Sequence, residues 1–483
     1  MENGIQNSTR DHISVVIVDG YIGLQALENT MRAKLCPDSS SWEAKSCIFR
    51  VPKVLKRHKP EAYEPDFVSI GPFHHGAGKQ FQHMENVKQW YLNNLLSRRN
   101  NVSLKNLIDC VVPLEKSARE FYAEPLDHLS QNDLVEMMIL DGCFVIELFR
   151  KYPSDEEHID ANDPIFNMDC MFQYLCHDLL LLENQLPWFV LQHLYDLTLD
   201  PNEPERSLTI VMLTVFTSQK PLYHSCDSYL GYVYEDKHDK NYETLHILDL
   251  IRTSIVFPFQ DHIKEKERRE KERKKKTFCR PKRRRNSNNN KLGTDMDSEF
   301  PPATALAQAG VKFRSVSAGS IMNIDFEKGV LRYIGYKRGT FKIPLLSIGE
   351  LTDPLLRNLI AFEQCYYHHS HEITSYAFLM NKLVASSKDM EFLCEKRIID
   401  NWLNAEDGAN YFSRLCNDTV LKRFYYEELC VEVNMHYQIK WYRWLEKFNR
   451  DYFANPWSAI SLIAAAILLA LTVVQTVYAI RSK

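Results

Sequence analysis

Glycine is scarce in this chain, at 16 of 483 residues. None of the glycine-built loops that cradle phosphate is present: no GxGxxG, no Walker loop and no GxSxG elbow occurs, and no HExxH offers a zinc-binding helix face. So little glycine also argues against an all-β protein and for a helix-rich one. The 12 cysteines include no Cys-x-x-Cys pair, which argues against a zinc ribbon. Many stand inside apolar runs, as Cys143 does in GCFVIELF, where a thiol behaves as a small hydrophobe. That usage fits a reducing compartment. No secretory signal is apparent, because the apolar run 13–18 is short and broken by Ser14.

What is present is the composition of a folded protein, 45% hydrophobic and 12% aromatic. The length allows two or three domains, or one large core with appendages. Residues 1–46 are polar, with room for one short helix. From Cys47 the texture becomes dense. FQHMENVKQWYLNNLLSRR places Met84, Val87, Tyr91 and Leu95 at helical spacing. DLVEMMILDGCFVIELFRKY reads as a buried helix opened by Asn132 or Asp133 as cap. DCMFQYLCHDLLLLENQLPWFVLQHLYDL reads as another, interrupted at Pro187. Further on, alternating runs at 321–326 and 330–334 flank Glu327-Lys328-Gly329, the pattern of a β-hairpin. Helices resume near Thr352. Tyr437, Trp441, Trp444, Leu445, Phe448 and Tyr452 then share one helical face, suited to the core or to a membrane surface.

Two charge features complete the pattern. From Lys264 to Arg285 there are fourteen Lys/Arg against four Glu, in a chain whose net charge is −4. With the Asn-rich stretch after it, this reads as an exposed insert, about 262–299, disordered or partly helical with i,i+4 pairs. It suits an anionic lipid contact better than nucleic acid, and a solvated loop or a nuclear-import patch are its other readings. At the far end, Trp457 to Ile480 holds no charged residue. As a helix it would be roughly 36 Å long, enough for a hydrocarbon core of about 30 Å. Residues 481–483 form a short tail. Lys440, Arg443, Lys447 and Arg450 on one side of this segment, against Arg481 and Lys483 on the other, place the bulk of the chain in the cytosol.

Several ordered motifs resemble the plant-specific family termed domain of unknown function 247. They are RVP at Arg50–Pro52, VSIGPFHHG at Val68–Gly76, MENVKQWYL from Met84, DGCFVIELF from Asp141 and LLENQLPWFVL from Leu181. The second half adds AGVKF at Ala309–Phe313, LLRNLIAFEQC at Leu355–Cys365, TSY at Thr374–Tyr376, and NPW before the terminal apolar run. The resemblance implies a domain over 47–453 and a single-pass membrane protein of plants without established catalysis. It carries over no catalytic, cofactor or metal residue.

The reactive side chains have two readings each. His74 and His75 could offer a metal two ligands, with His58, His83 or Glu85 completing the set. Neighbouring residues point apart in regular structure, however, so a turn shaped by Pro72 and Gly76 is the simpler account. Cys365, His368, His369, His371 and Glu372 could form a soft-metal site, or a local loop variation. Asp141, Glu147 and the Glu183-Asn184-Gln185 cluster could do acid–base work, or satisfy backbone groups freed around Pro187. The expectation is a mainly α protein, a large helical soluble region with a small β-hairpin element plus one C-terminal transmembrane helix at 457–480. It would act in protein–protein recognition or signalling at a membrane, with no catalytic, cofactor or metal residue assigned. The competing class is a hydrolase-like or metal-dependent enzyme using the His74/His75 region.

Overall fold

The computed structural model describes residues 25–32, 46–152, 162–199, 206–235, 243–277, 300–328, 339–439 and 456–481, apart from 77, 100, 169, 220, 221 and 350. The chain divides into Met1–Cys47 and Ile48–Lys483. In the first unit residues 25–32 form a helix, tied one turn apart by Arg32 and Glu28 at 2.9 Å.

In the second unit the helical spacing after Gln82 is realised. Gln82–Arg98 (α1) buries Met84, Val87, Tyr91 and Leu95, together with a cation that the pattern did not announce, Lys88. It packs along Gln131–Lys151 (α2), a helix buried on most sides. The cap of α2 is Ser130, not Asn132 or Asp133. Ser130 Oγ accepts from the Asp133 N–H, and the Asp133 carboxylate accepts from the Ser130 N–H. Such reciprocal bonds satisfy two donors that a helix start leaves bare.

The stretch read as one helix interrupted at Pro187 is two helices, Met171–Asp178 (α3) and Trp188–Leu197 (α4). Helix ends at Leu179, well before the proline, and residues 180–187 follow a turning path. The reason is polar. Glu183, Asn184 and Gln185 turn inward to bond distant backbone, which a continuous helix would forbid. α4 crosses α2 at Gly142, where a Cβ would stand 2.5 Å from Leu194 Cδ1.

Ile247–Thr277 (α5) runs for 31 residues with Pro258 inside it. Its first turns are core, with Ile251, Ser254 and Ile255 buried. Its last turns are charged, with Glu265 to Arg268 and Arg269 at 2.8 Å and Glu267 to Lys271 at 3.8 Å. The described part of the basic stretch is thus helical and exposed, with the i,i+4 pairs expected of it. Residues 262–277 continue a core helix, stabilised by i,i+3 and i,i+4 pairs. Residues 278–299 lie outside the described ones.

Three strands follow: Lys312–Val316 (β1), Asp325–Lys328 (β2) and Gly339–Pro344 (β3). They are ordered β1-β3-β2, with β3 parallel to β1 and antiparallel to β2. The hairpin is realised in altered form. Glu327 and Lys328, expected in the turn, belong to β2, and its antiparallel partner is β3. The expected second arm, 330–334, lies outside the described residues. Phe313, Phe341 and Phe326 stand opposite one another across the sheet and set this register. A second, two-stranded parallel sheet joins Leu346–Ile348 (β4) to Ile399–Asn401 (β5). Between them lie Thr352–Cys365 (α6) and Glu372–Leu383 (α7), both largely buried, and Ser387–Glu395 (α8).

The chain end corrects a further expectation. A helix does run from Pro456 to Arg481. Yet among the described residues no helix is long and apolar enough to cross a membrane. The single transmembrane helix over 457–480 is not supported. The aromatic face from Tyr437 to Tyr452 falls outside the described residues beyond Ile439.

Candidate functional site

The segment VSIGPFHHG has little hydrogen-bonded secondary structure of its own, so its backbone groups must find partners elsewhere. They find buried side chains. Asp178, the last residue of α3, accepts from the Asp66, Phe67 and Val68 N–H groups at 3.0, 2.8 and 2.8 Å. Burial pushes its carboxyl up to about 6, against the downward pull of those three donors. Asn184 Oδ1 accepts from the Ile70 N–H at 2.6 Å, while Asn184 Nδ2 donates to the Val68 and Asp178 carbonyls. Asp141, from α2, accepts from the Gly71 N–H at 2.8 Å.

Lys88 closes this network. Its ammonium donates to the Ser69 carbonyl at 2.6 Å and to Glu85 at 2.7 Å, and pairs with Asp141 at 2.6 Å. Burial opposes a charge on Lys88, but Asp141 and Glu85 more than offset it and hold its pKa above the ordinary value. The chain turns at Gly71, whose φ is +73°. Only glycine fits there. A Cβ would meet the Gln185 carbonyl oxygen at 2.6 Å and Tyr122 Oη at 3.3 Å.

The histidine pair splits at this turn. His74 is buried and His75 is exposed, as the opposite directions of adjacent side chains require. His74 Nε2 lies 3.5 Å from Glu183 Oε2 and has no hydrogen-bond partner. Burial, reinforced by the Lys56 and Arg50 cations, lowers its pKa to about 4, so it is neutral at pH 7. Glu183 Oε1 accepts from the Val51 N–H and from Lys56, both at 2.7 Å. Arg50 bonds the Phe73 carbonyl at 3.1 Å and covers the Phe73 ring. Gly76 supplies the second left-handed residue, at φ +69°. The residues weighed as further ligands lie elsewhere. His58 pairs with Asp418 at 2.6 Å, His83 is exposed, and Glu85 is bound to Lys88.

The second candidate cluster also disperses. His369 pairs with Asp249 at 3.1 Å, and His371 bonds the Val420 carbonyl at 2.8 Å. His368 is exposed, while Cys365 is half-buried with its thiol pushed up to about 12 by burial. Glu372 is held by Arg252 at 2.6 Å. Among the described residues, no group of three or more His, Cys, Asp or Glu is placed to hold a metal ion. Glu147 lies apart from Asp141, paired with Arg98 and with Arg150 at 3.0 Å.

The motifs of the second half repeat the same chemistry. Asn358 accepts from the Leu182 N–H at 2.9 Å and donates to the Ala62 carbonyl at 2.8 Å. Glu363 accepts from the Ile373 and Thr374 N–H groups and pairs with Arg252 at 3.0 Å. Gln185 reaches from the Leu179 and Leu181 carbonyls to the Leu248 N–H. Sequence reasoning missed Lys88, Asp178, Asn358, Arg252 and Glu363. The one available signal was a charged or amide residue inside an otherwise apolar run.

The motif residues thus converge on one buried polar network, and comparison with known proteins decides the assignment. The family described as a plant protein of unknown function, DUF247, matches residues 48–471. The chain belongs to this DUF247 family. Among curated proteins it is similar to UPF0481 protein At3g47200 of Arabidopsis thaliana, at 31% identity over 92% of this chain and 88% of that protein. A second Arabidopsis thaliana relative of the UPF0481 group, At3g02645, is 22% identical over 89% of each chain. No solved structure matches. In this DUF247 member the motifs RVP, VSIGPFHHG, MENVKQWYL, DGCFVIELF and LLENQLPWFVL meet at one place, where side chains of the last three bond the backbone of the first two.

Proposed function

We propose that this chain acts by binding another protein, in recognition or signalling, and not by catalysis. The observation that supports the reading is what its motif side chains do. Asp141, Asp178, Glu183, Asn184 and Lys88 are committed to backbone groups or to each other. Groups held in that way shape a rigid scaffold and have little freedom to exchange protons with a substrate. We also place the bulk of the chain in a reducing compartment, a reading supported by the described cysteines, all of them free thiols.

Two measurements test this. Elemental analysis of the purified chain should find no stoichiometric metal, and one bound metal per chain would favour the enzyme reading. Joint replacement of His74 and His75 by alanine should lower the melting temperature. If it abolished the biological role and left melting untouched, these histidines would be reactive groups and the recognition reading would fall.

A further inference from the structure

The three-stranded sheet has an unpaired edge. β1 bonds β3 on one side only, and among the described residues no strand pairs with its other side. Alternate N–H and C=O groups of β1 therefore face outward, ready to accept another strand. Short, charged edges deter neutral or like-charged strands, and this one has both marks: five residues, with Lys312 and Arg314 exposed.

A groove of about 510 Å³ opens beside β1 and reaches across the sheet to Glu327 of β2. Its walls combine Phe313 of β1 and Phe392 of α8 with the cations Lys312, Arg314 and Lys396. Lys312 and Arg314 have no ion-pair partner among the described residues. Lys396 is held by the neighbouring Glu395 at 3.0 Å and rests over the Phe392 ring. The one acid on the walls, Glu327, is taken by Lys342. The groove is thus basic, with two half-buried aromatics, Phe313 and Phe392, among its walls. Lys312, Thr340 and Glu327 stand in one cross-strand row, and Arg314 follows two residues on, so both free cations lie on the same face of the sheet.

We propose that this edge is a binding site for an extended acidic peptide of a partner protein, which adds as a fourth strand beside β1. The main chain of the peptide would bond the outward groups of β1. Its acidic residues, two apart, would meet Lys312 and Arg314, and an apolar side chain between them would meet Phe313. The same cations disfavour a second copy of this chain, since strand-to-strand pairing would set Lys312 and Arg314 against their own kind. This inference rests on the recognition reading above and names the partner's chemistry.

Fluorescence anisotropy of the purified full-length chain tests it, with a labelled eight-residue peptide of alternating Val and Glu as probe. A peptide of alternating Val and Lys, and a Val/Glu peptide with proline at every third position, serve as controls. The acidic peptide should bind saturably, and both controls should fail. Lys312→Glu with Arg314→Glu should weaken binding at least about tenfold, with circular dichroism melting unchanged because both side chains are exposed. Absence of binding, equal binding by the variant, or equal binding of the proline peptide would overturn the proposal. Proximity labelling in plant tissue separates this from the broader reading. A specific partner retained by the Glu variant would overturn the edge site while the recognition function stood. No partner for the native chain would end both.

Discussion

Replacing Gly71 by alanine perturbs the motif network at its tightest point. Two separate penalties apply. A residue with a Cβ at φ +73° carries about 1–2 kcal/mol of left-handed strain. The Cβ would also stand 2.6 Å from the Gln185 carbonyl oxygen, a backbone atom that cannot swing aside. Relieving that overlap means displacing Gln185, whose carbonyl accepts from Tyr122 Oη at 3.0 Å and whose amide holds the Leu179 and Leu181 carbonyls. Such overpacking costs about 1–3 kcal/mol. The sum is about 2–5 kcal/mol. Gly76 is the internal control, because its φ is +69° but nothing lies within 4 Å of its Cβ. Gly76→Ala should carry the strain alone. At about 1 °C per kcal/mol for a unit this size, thermal melting should fall by about 2–5 °C for Gly71→Ala and by about 1–2 °C for Gly76→Ala. Equal shifts would refute the argument, since the carbonyl contact would then contribute nothing.

Lys88→Met should destabilise the chain by about 3–5 kcal/mol in urea titration, because Asp141 would be left as an uncompensated buried charge. The double change Lys88→Met with Asp141→Leu should recover part of that loss, although the Gly71 N–H then loses its acceptor. His74 predicts a pH dependence. Its folded pKa is about 4 against 6.5 in the unfolded chain, so the unfolded state binds more protons between those values. Stability should therefore fall by about 3 kcal/mol from this group as pH drops from 6.5 to 4. His74→Leu should flatten that slope in denaturant titrations across the window, and an unchanged slope would count against burial as the cause. Deleting residues 264–285 should reduce binding of the purified chain to anionic vesicles. Retained binding would exclude the charged end of α5 as a lipid contact.

Local pattern carried the reading of this sequence as far as local forces reach. The buried face of α1 was legible because Met84, Val87, Tyr91 and Leu95 repeat with the helical turn. Lys88 on the same face was not, because its acceptors Ser69 and Asp141 lie in other segments. Pro187 was visible as a breaker, but the chain leaves helix at Leu179. There the pull comes from groups as remote as Val51 and Ile70, through Glu183 and Asn184. Glycine and proline marked the turn at VSIGPFHHG correctly, and alternation of adjacent side chains anticipated the parting of His74 from His75. The β3 register was hidden because its partners on either side are fixed by Phe313 and Phe326, not by a tight turn. The uncharged run near the end was read from composition alone, and among the described residues no membrane-crossing helix supports it.

Asn358 has a consequence for the birth of the molecule. It bonds Ala62 and Leu182, which precede it by 296 and 176 residues. A ribosome adding about 5–20 residues per second delivers Asn358 about 15–60 s after Ala62. Through that interval the Ala62 carbonyl and the Leu182 N–H wait for their partner, while the network of Lys88, Asp141, Asp178 and Asn184 has all its members. A chain cut between Leu182 and Asn358 therefore leaves those two buried groups unmatched and should be a client for chaperones or proteases.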